Sequence, residues 1–386
     1  MKKVINKLPW RVQTLLGLRP KKVFHSLLNY FKEYSSPQIE EEFLTVVYPG
    51  YVKDLKLPYF TNPRSLNHEN YLNNKTLSLN NVQFGAIKNA RVYQNNFHPE
   101  IITSKNILLN TFTNDLKRKI KKHTLLNVKD VGAPLHLKGK SIVLAATGAH
   151  NGYYHWILDS LTKIHVLNKF DFSLNDFDHI IVSGPSSKYK IETLKVLNVP
   201  LEKFHFIEEG NHIKTDYLVF IDTIRYHTQG TNFLKEYFKV DQLKTSNKLI
   251  FISREQAGFR NIIDQERLFD FLKDFGFEKV ILENLTVHEQ AKIMAEAKFV
   301  ISPHGAGLAN IVFCNPETVL FEIVPDEYAN INYWFHSNFL DINYYSYISK
   351  SQLNNGQTRP NTKDIVFEED LFQQLTSTFE RYNISK

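Results

Sequence analysis

The fold is decided by residues 299–307, FVISPHGAG, in which three apolar residues lead through serine and proline into a histidine and two glycines. This order is typical of a buried strand that ends in a turn of small residues before a helix. Two similar apolar runs lie on either side along the chain, KLIFIS at 248–253 and VLFEI at 319–323. Buried strands separated by helices form parallel sheets with both faces covered. The sequence therefore predicts a doubly wound α/β domain around this stretch.

Helices are predicted between these strands. One begins at Asp264 and stops at Gly276, because glycine commonly terminates helices. A short strand follows at 279–282. The next helix is opened by Thr286, with Glu289 three residues later, which is the spacing of a capping box. Strand and helix thus alternate throughout the region.

The N-terminal half repeats this alternation, after short antiparallel strands between residues 84 and 112. Its predicted strands lie at 142–146, 179–183, 204–207 and 217–221, and its predicted helices at 153–168, 188–197 and 231–238. The predicted organisation is a basic amphipathic helical segment (1–45), an N-terminal domain with a β-rich start (46–243), a C-terminal domain (244–350) and a last helix that packs back across the cleft between them (351–386).

Composition narrows the class of protein. The 386 residues are 42% hydrophobic and 23% charged, and no run of about 18 apolar residues could span a bilayer. The first apolar stretch is interrupted by Lys7, Pro9 and Arg11, so no signal peptide is expected. The single cysteine, Cys314, cannot form an internal disulfide. We therefore expect a cytoplasmic protein.

The net charge of +7 predicts an anionic partner. Nucleic acid is not expected, because the basic residues are not interleaved with aromatic residues in the pattern of RNA-binding motifs. Residues 11–32 predict a basic amphipathic helix with two interpretations. It packs against protein, or it binds an anionic membrane surface, which would make the protein peripheral on the inner membrane face.

Polar residues follow two of the predicted C-terminal strands. Ligands of open parallel sheets bind beyond the carboxyl ends of strands, near the point where strand order reverses. Backbone N–H groups of a small-residue loop can approach a phosphate, and an arginine can add a bidentate contact. The first cluster is Ser253, Arg254, Arg260 and Asn261; the second is His304, Gly305, Ala306, Gly307 and Asn310.

Each of these residues also has a structural interpretation. The glycines could serve only a tight turn with close helix packing, Arg254 a surface ion pair, and His304 a structural hydrogen bond. Glu322 ends the last strand, where it could accept hydrogen bonds from ribose hydroxyls or lie in solvent.

In the N-terminal domain, His155 and Asp159 lie four residues apart at the start of a predicted helix. That spacing places them on one helix face, as an acid/base pair or as a local hydrogen bond. Asp176-Phe177-Asp178 has the form of a metal-binding Asp-x-Asp motif, but it precedes a strand and is interpreted as a strand-entry turn. No metal and no cofactor are expected.

Taken in order, these residues resemble glycosyltransferase family 61. The similarity spans roughly residues 84–325. It is carried by FISRE at 251–255, RNI at 260–262, SPHGAGLAN at 302–310 and Glu322-Ile323, and upstream by Ala90-Arg91-Val92 and by Tyr154-His155-Trp156 with Asp159.

The resemblance implies an inverting transferase of GT-B type, with two Rossmann-like doubly wound domains that face a cleft. It implies a nucleotide-sugar donor on the C-terminal domain, mostly a UDP-sugar such as UDP-xylose or UDP-N-acetylglucosamine. Arg254 and the backbone at Gly305 to Gly307 would hold the diphosphate without a metal. Arg260, Asn261, His304, Asn310 and Glu322 would line the nucleotide and sugar.

The resemblance further implies that His155 or Asp159 takes the proton from the acceptor hydroxyl. The acceptor would be a glycan or a lipid-linked glycan, as in bacterial capsule, exopolysaccharide or lipopolysaccharide assembly. Two alternatives stay open: a nucleotide-sugar epimerase of similar architecture, and a non-catalytic nucleotide-binding or scaffold subunit at the membrane.

Overall fold

The structure is a computed structural model that describes residues 22–24, 42–109, 125, 131–243, 245–353 and 359–386. Its strands, in chain order, are β1 Lys22–Phe24, β2 Phe43–Tyr48, β3 Tyr51–Asp54, β4 Tyr59–Phe60, β5 Thr76–Leu79, β6 Val82–Lys88, β7 Arg91–Asn95, β8 His98–Ile102, β9 Ile107–Leu109, β10 Leu135–Val143, β11 His179–Ser183, β12 Phe204–Ile207, β13 His212–Ile221, β14 Lys248–Ser253, β15 Glu278–Ile281, β16 Ala297–Pro303, β17 Val319–Pro325, β18 Asn343–Ser349, β19 Ser351–Gln352 and β20 Asp364–Ile365.

The α-helices are α1 Pro63–Leu66, α2 Glu69–Asn73, α3 Tyr153–His155, α4 Lys163–Lys169, α5 Lys188–Lys195, α6 Thr228–Tyr237, α7 Gln265–Lys273, α8 Val287–Ala295, α9 Asn332–Leu340 and α10 Asp370–Arg381. A π-helix, Trp156–Leu161, joins α3 to α4. Short 3₁₀ helices lie at Leu174–Asp176, Leu201–Lys203, Leu282–Asn284, Ala306–Phe313, Asp326–Tyr328 and Pro360–Thr362. Among the described helices, none is both long and apolar enough to cross a lipid bilayer.

The described residues divide into two compact units. Unit 1 lies within Met1–Tyr51 and Asn80–Arg225, and unit 2 within Val52–Leu79 and Tyr226–Lys386. Both units contain parallel sheet and helix, so a mixed α/β fold is confirmed. The domain boundaries proposed from the sequence stay a prediction.

Unit 1 is built on a mixed sheet. Strands β13, β10, β11 and β12 are neighbours and parallel. Beyond β13 the sheet continues with β6 and β7, which pair antiparallel with different parts of that strand. The antiparallel pairs β7–β8 and β8–β9 agree with the prediction for residues 84–112. The four predicted strands between 142 and 221 are all present.

Unit 2 has a sheet of six strands in the order β15-β14-β16-β17-β18-β4, all of them parallel. After β14, the chain places β15 on one side of that strand and β16 on the other. Strand order therefore reverses between β14 and β16. This reversal creates a crevice at the carboxyl ends of the two strands, where doubly wound folds bind their ligands.

The core of unit 2 lies between its sheet and two helices. Phe251 and Phe299 from the sheet are fully buried, and they pack with Leu272 of α7 and Phe379 of α10. The apolar face of α10 is thus buried within unit 2, whereas the sequence predicts a helix across an interdomain cleft.

Local structure departs from the predictions in three places. The predicted helix 153–168 contains a π-helical turn, and the predicted helix after Gly307 is 3₁₀. Lys22–Phe24 is a strand that pairs with β9, not part of a helix. Residues 43–45, the end of the predicted helical segment, belong to β2. Residues 1–21 and 25–41 of that segment, including most of the predicted membrane-binding region 11–32, fall outside the described residues.

Candidate functional site

The two polar clusters predicted from the sequence lie at the carboxyl ends of neighbouring strands. β14 ends at Ser253 and β16 ends at Pro303, and the two strands pair in parallel register. Arg254 and His304 are the first residues beyond these ends. A cavity there is lined by residues of both loops, among them Arg254, Gly305 and Gly307, and by Glu283 from the 3₁₀ helix after β15. The reversal of strand order therefore brings the clusters together, as predicted.

The guanidinium of Arg254 lies against the backbone of Gly305. A Cβ atom added to Gly305 would be 1.9 Å from Nη1 of Arg254, so only glycine leaves room for this side chain. Nη2 of Arg254 donates to the carbonyl oxygen of Phe259 at 3.0 Å. These contacts hold the cation over the loop that follows β16.

A second guanidinium lies near the first. Burial, and then repulsion from Arg260, lowers the pKa of Arg254 to about 10. Burial also lowers the pKa of Arg260, although Tyr328, Tyr333 and Glu322 oppose this. Neither arginine forms an ion pair with the residues that the structure describes. Two partly desolvated cations therefore lie together, an arrangement that favours a bound anion.

Three buried polar atoms in the loop after β14 form no hydrogen bond within the described chain. They are Nε of Arg254, Nε of Arg260 and Oδ1 of Asn261. The amide nitrogen of Asn261 donates to the carbonyl of Ala257, which turns the oxygen away from that contact. Buried polar groups are normally paired, so these atoms indicate a polar ligand.

The turn after β16 combines two functions of small residues. Ala306 and Gly307 begin the 3₁₀ helix, and Tyr333 donates its hydroxyl hydrogen to the carbonyl of Gly305 at 2.6 Å. A Cβ atom on Gly307 would be 2.6 Å from a methyl group of Leu282. Close packing thus accounts for Gly307, while Gly305 makes room for Arg254.

His304 is held by a buried carboxylate. Its Nδ1 is 2.5 Å from Oε1 of Glu322, and Oε2 of Glu322 accepts from the hydroxyl of Tyr344 at 2.6 Å. Glu322 has no exposed surface. The alternative of a solvated strand end is therefore wrong, and the occupied oxygens give no support to the predicted contact of Glu322 with ribose hydroxyls. Glu322 reaches the crevice only through His304.

The side chains of Ser253 and Asn310 are also buried, and both form hydrogen bonds within unit 2. The hydroxyl of Ser253 accepts from Gln265 at 2.9 Å, and the amide of Asn310 donates to Gln290 at 2.8 Å. Ser253 fixes the start of its loop, and Asn310 ties the 3₁₀ helix to α8. Ser253 also lines the cavity between the two loops, so its contact with the donor stays a prediction. The contact of Asn310 is not supported, because its side chain has no exposed surface.

In unit 1, His155 and Asp159 do form a pair. Nδ1 of His155 is 2.8 Å from Oδ2 of Asp159. Arg225, which the sequence analysis missed, donates through Nε to Oδ1 of Asp159 at 2.7 Å and through Nη2 to Oδ2. Burial alone would raise the pKa of Asp159, but the charge of Arg225 and hydrogen bonds from both partners hold that pKa well below its ordinary value.

The turn at residues 148–152 holds the imidazole of His155 in place. A Cβ atom on Gly148 would be 2.5 Å from the imidazole, so the ring lies against the 148–152 turn. Lys190 is buried and donates to three carbonyl groups, one of them that of His150 in the same turn. The side chain of His155 remains 30% exposed, while that of Asp159 is 1% exposed. Of the two side chains in this pair, only the imidazole of His155 faces solvent.

The Asp-x-Asp pattern has a local role, as predicted. Asp176 accepts from the backbone of Ser173 and completes a capping box, and Asp178 accepts from the backbone of Lys140. Both carboxylates lie directly before β11, where that of Asp176 stabilises a turn and that of Asp178 contacts β10.

Arg225 could have been suspected from its position four residues beyond β13, a strand parallel to β10. No local pattern marks it, however, because its partner Asp159 lies 66 residues earlier. Tyr344 is likewise 22 residues from Glu322 and on another strand. These partners became visible only in three dimensions.

Comparison with known proteins finds one matching family model and a similar curated protein. Residues 153–321 match the family model described as Glycosyltransferase 61. The chain is 25% identical over 210 residues to the beta-1,2-xylosyltransferase XAX1 of Oryza sativa subsp. japonica, an alignment that covers 53% of this chain. The aligned part spans 34% of the rice protein's length. Together these similarities support a glycosyltransferase, related to glycosyltransferase family 61.

Proposed function

We propose that this protein is an inverting glycosyltransferase that uses a nucleotide-sugar donor, most simply a UDP-sugar, without a metal ion. The observation that carries the proposal is the pair of partly buried guanidinium groups of Arg254 and Arg260, which form no ion pair within the described residues, at the point where strand order reverses. A diphosphate would supply the missing counter-charge and accept from the free Nε atoms. The N-terminus of the 3₁₀ helix at Ala306 adds N–H groups for the same anion.

These groups would also promote departure of the nucleotide. Negative charge develops on the diphosphate as the glycosidic bond breaks, and fixed cations in a water-poor site stabilise that charge. The two arginines thereby take the place that a divalent cation has in Asp-x-Asp enzymes. His304 and Asn261 remain close to the same anion, as the sequence predicts.

We assign the general base to His155. Asp159 is fully buried and both of its oxygens are occupied by Arg225, so it has no access to an acceptor hydroxyl. An ionised carboxylate only accepts hydrogen bonds, and its contact with Nδ1 therefore requires hydrogen on that atom. Nε2 of His155 is then the basic nitrogen, which takes the acceptor proton during a single displacement. Such a displacement inverts the anomeric configuration.

The relative's name gives a first choice of donor. A xylosyltransferase is similar to this chain, so UDP-xylose is the first sugar nucleotide to test, followed by UDP-N-acetylglucosamine. We propose the GT-B class, with unit 2 as the donor-binding Rossmann-like domain. We propose a glycan or lipid-linked glycan of a cell-surface polysaccharide as the acceptor, a cytoplasmic location, and attachment to an anionic membrane surface through residues 11–32.

The proposal is tested by a thermal-shift screen of UDP, GDP, CMP and ADP, each with and without EDTA. Wild type is compared with Arg254→Ala and with Arg267→Ala, which removes an exposed arginine of the same unit. We expect UDP to stabilise wild type and Arg267→Ala equally, with EDTA present, and to leave Arg254→Ala unchanged. Loss of the shift in EDTA would refute the metal-free site, and no shift with any nucleotide would favour a scaffold subunit.

Measurement of UDP-sugar turnover distinguishes a glycosyltransferase from an epimerase. Removal of one preorganised charged donor costs roughly two to three orders of magnitude in kcat, so Arg254→Ala should hydrolyse a UDP-sugar at least about 100-fold more slowly than wild type. Near-normal turnover would disprove the role of Arg254. Conversion of the donor sugar without release of UDP would indicate an epimerase.

A further inference from the structure

Four buried side chains extend from His304 into unit 2. Glu322 accepts from His304 and from Tyr344, as described above. The hydroxyl of Tyr344 is 3.1 Å from that of Tyr71, which is also 3.0 Å from the hydroxyl of Ser346. Glu322, Tyr71 and Ser346 have no exposed surface, and Tyr344 is 3% exposed. The arrangement is a continuous hydrogen-bonded chain that starts at the loop after β16.

Stability alone does not explain a carboxylate in this position. Burial of an ionised group is costly unless the group is paired, and no lysine or arginine forms an ion pair with Glu322 among the described residues. Its hydrogen-bond donors are the imidazole of His304 and the hydroxyl of Tyr344. The charge of Glu322 is therefore directed at His304, whose Nε2 forms no hydrogen bond within the described chain.

We infer that Glu322 is a positioning residue that acts through His304, so that His304 donates a hydrogen bond from Nε2 to the leaving diphosphate. This inference rests on the proposed function. Both imidazole nitrogens then carry hydrogen, and Glu322 balances the charge of the ring. No proton transfer is needed, because the diphosphate gains negative charge as it leaves and the hydrogen bond strengthens. Tyr344 and Tyr71 fix the second oxygen of Glu322.

A double-mutant cycle tests whether Glu322 acts through His304. The variants are His304→Ala, Glu322→Gln and the double substitution, and the measurement is kcat and KM for slow hydrolysis of a UDP-sugar. We expect kcat to fall about 100-fold for His304→Ala and about tenfold for Glu322→Gln, with KM nearly unchanged. The double variant should be no slower than His304→Ala, since residues that act as a unit are not additive. Additive losses would overturn the inference.

A spectroscopic measurement does not depend on turnover. A hydrogen bond of 2.5 Å between imidazole and carboxylate should give a proton signal far downfield in the NMR spectrum of the intact protein. We expect this signal in wild type and not in either single variant, and we expect UDP or inorganic pyrophosphate to move it. A signal that neither ligand moves would show a purely structural pair. Movement by pyrophosphate but not by UDP would retain this inference and reject the uridine donor.

Tyr344→Phe tests the next step of the chain. It removes one donor to Glu322, and we expect kcat to fall severalfold without a matching change in KM. Tyr347→Phe is the control, because the hydroxyl of Tyr347 donates to another carboxylate of unit 2, Asp370, at 2.6 Å. Equal effects of the two substitutions on kcat would indicate a general loss of stability and would contradict a specific role for Tyr344.

Discussion

Asp159 illustrates how charge and burial compete at a single residue. Loss of hydration would keep its carboxyl protonated, but Arg225 and His155 both stabilise the ionised form, and their effect is larger. The ionised carboxylate then fixes hydrogen on Nδ1 of His155. The sequence left the choice between the two residues open, because an i, i+4 spacing does not show which of them reaches solvent.

Asp159→Asn should affect both chemistry and stability. Asparagine has a similar shape but no charge, so His155 loses its fixed tautomer and Arg225 loses its counter-ion. We expect kcat for donor hydrolysis to fall by about two orders of magnitude. Urea unfolding should show a loss of about 3 kcal/mol, since one partner of a buried ion pair is removed. The exposed Asp171→Asn is the control, and a variant with wild-type turnover would limit Asp159 to a structural role.

Asp222 predicts an unusual pH dependence of stability. Burial raises the pKa of Asp222 to about 7, although a backbone hydrogen bond from Gln83 and the charge of Lys163 oppose the rise. The folded state therefore holds a proton that the unfolded state releases above its ordinary pKa of 3.8. Stability from this group is complete below that value and is lost as pH rises toward 7.

Asp222→Asn should remove this decrease in the free energy of unfolding between pH 4 and pH 7. We expect urea unfolding to show similar free energies for wild type and variant at pH 4, and a more stable variant at pH 8. The difference at pH 8 should approach about 4 kcal/mol, since each tenfold change in proton affinity is about 1.4 kcal/mol. A variant less stable than wild type at pH 8 would show that the carboxylate of Asp222 is a favourable partner of Lys163.

At the scale of elements, the loops after β14 and β16 contact each other and line one cavity. The sequence predicted their proximity, because polar residues at the carboxyl ends of parallel strands converge. It could not predict that Arg254 would lie against Gly305, or that Ser253, Asn310 and Glu322 would be buried. Whether a strand-end residue faces a crevice or the interior depends on side chains from other strands, such as Tyr344.

Gly305→Ala tests the contact between these loops. The new methyl group would occupy the place of the Arg254 guanidinium, so we expect UDP affinity to fall at least about tenfold with little change in melting temperature. The backbone of Gly305 is extended, so alanine adds no backbone strain. Gly258→Ala is a matched control in the preceding loop, where a methyl group meets open space. Unchanged UDP affinity in Gly305→Ala would contradict the proposed place of Arg254.

The regular elements were predicted well because their patterns are local. β11, β12 and β14 have the predicted bounds, and Thr286 and Glu289 form the predicted capping box. Helix type was less accessible. The π turn before α4 and the 3₁₀ helix after β16 arise in segments whose apolar residues pack on all sides, so periodicity alone does not reveal them.

At the scale of the molecule, unit 2 is discontinuous in sequence. β4 pairs with β18, and Tyr71 of α2 packs edge-on against Trp334 at 5.2 Å between ring centroids. Periodicity describes only neighbouring residues, so no pattern in the sequence indicated that residues 52–79 complete this unit. Residues 226–386 alone would expose Trp334, Tyr344 and the edge of β18.

We therefore expect a fragment of residues 226–386 to lack a cooperative thermal transition. Near-ultraviolet circular dichroism and tryptophan fluorescence would report the loss of fixed packing around Trp334. The intact chain, measured in parallel, should unfold cooperatively. A fragment that melts near the temperature of the intact chain would show that residues 52–79 are dispensable for unit 2.

The pairing of β4 with β18 also has a consequence for synthesis on the ribosome. Tyr59 emerges early and pairs with a strand that contains Tyr345, after the whole of unit 1 has been translated. At about 5–20 residues per second, the early segment waits on the order of 15–60 s for its partner strand. During that time its apolar side chains, such as Tyr71, which the folded unit buries completely, are available to chaperones.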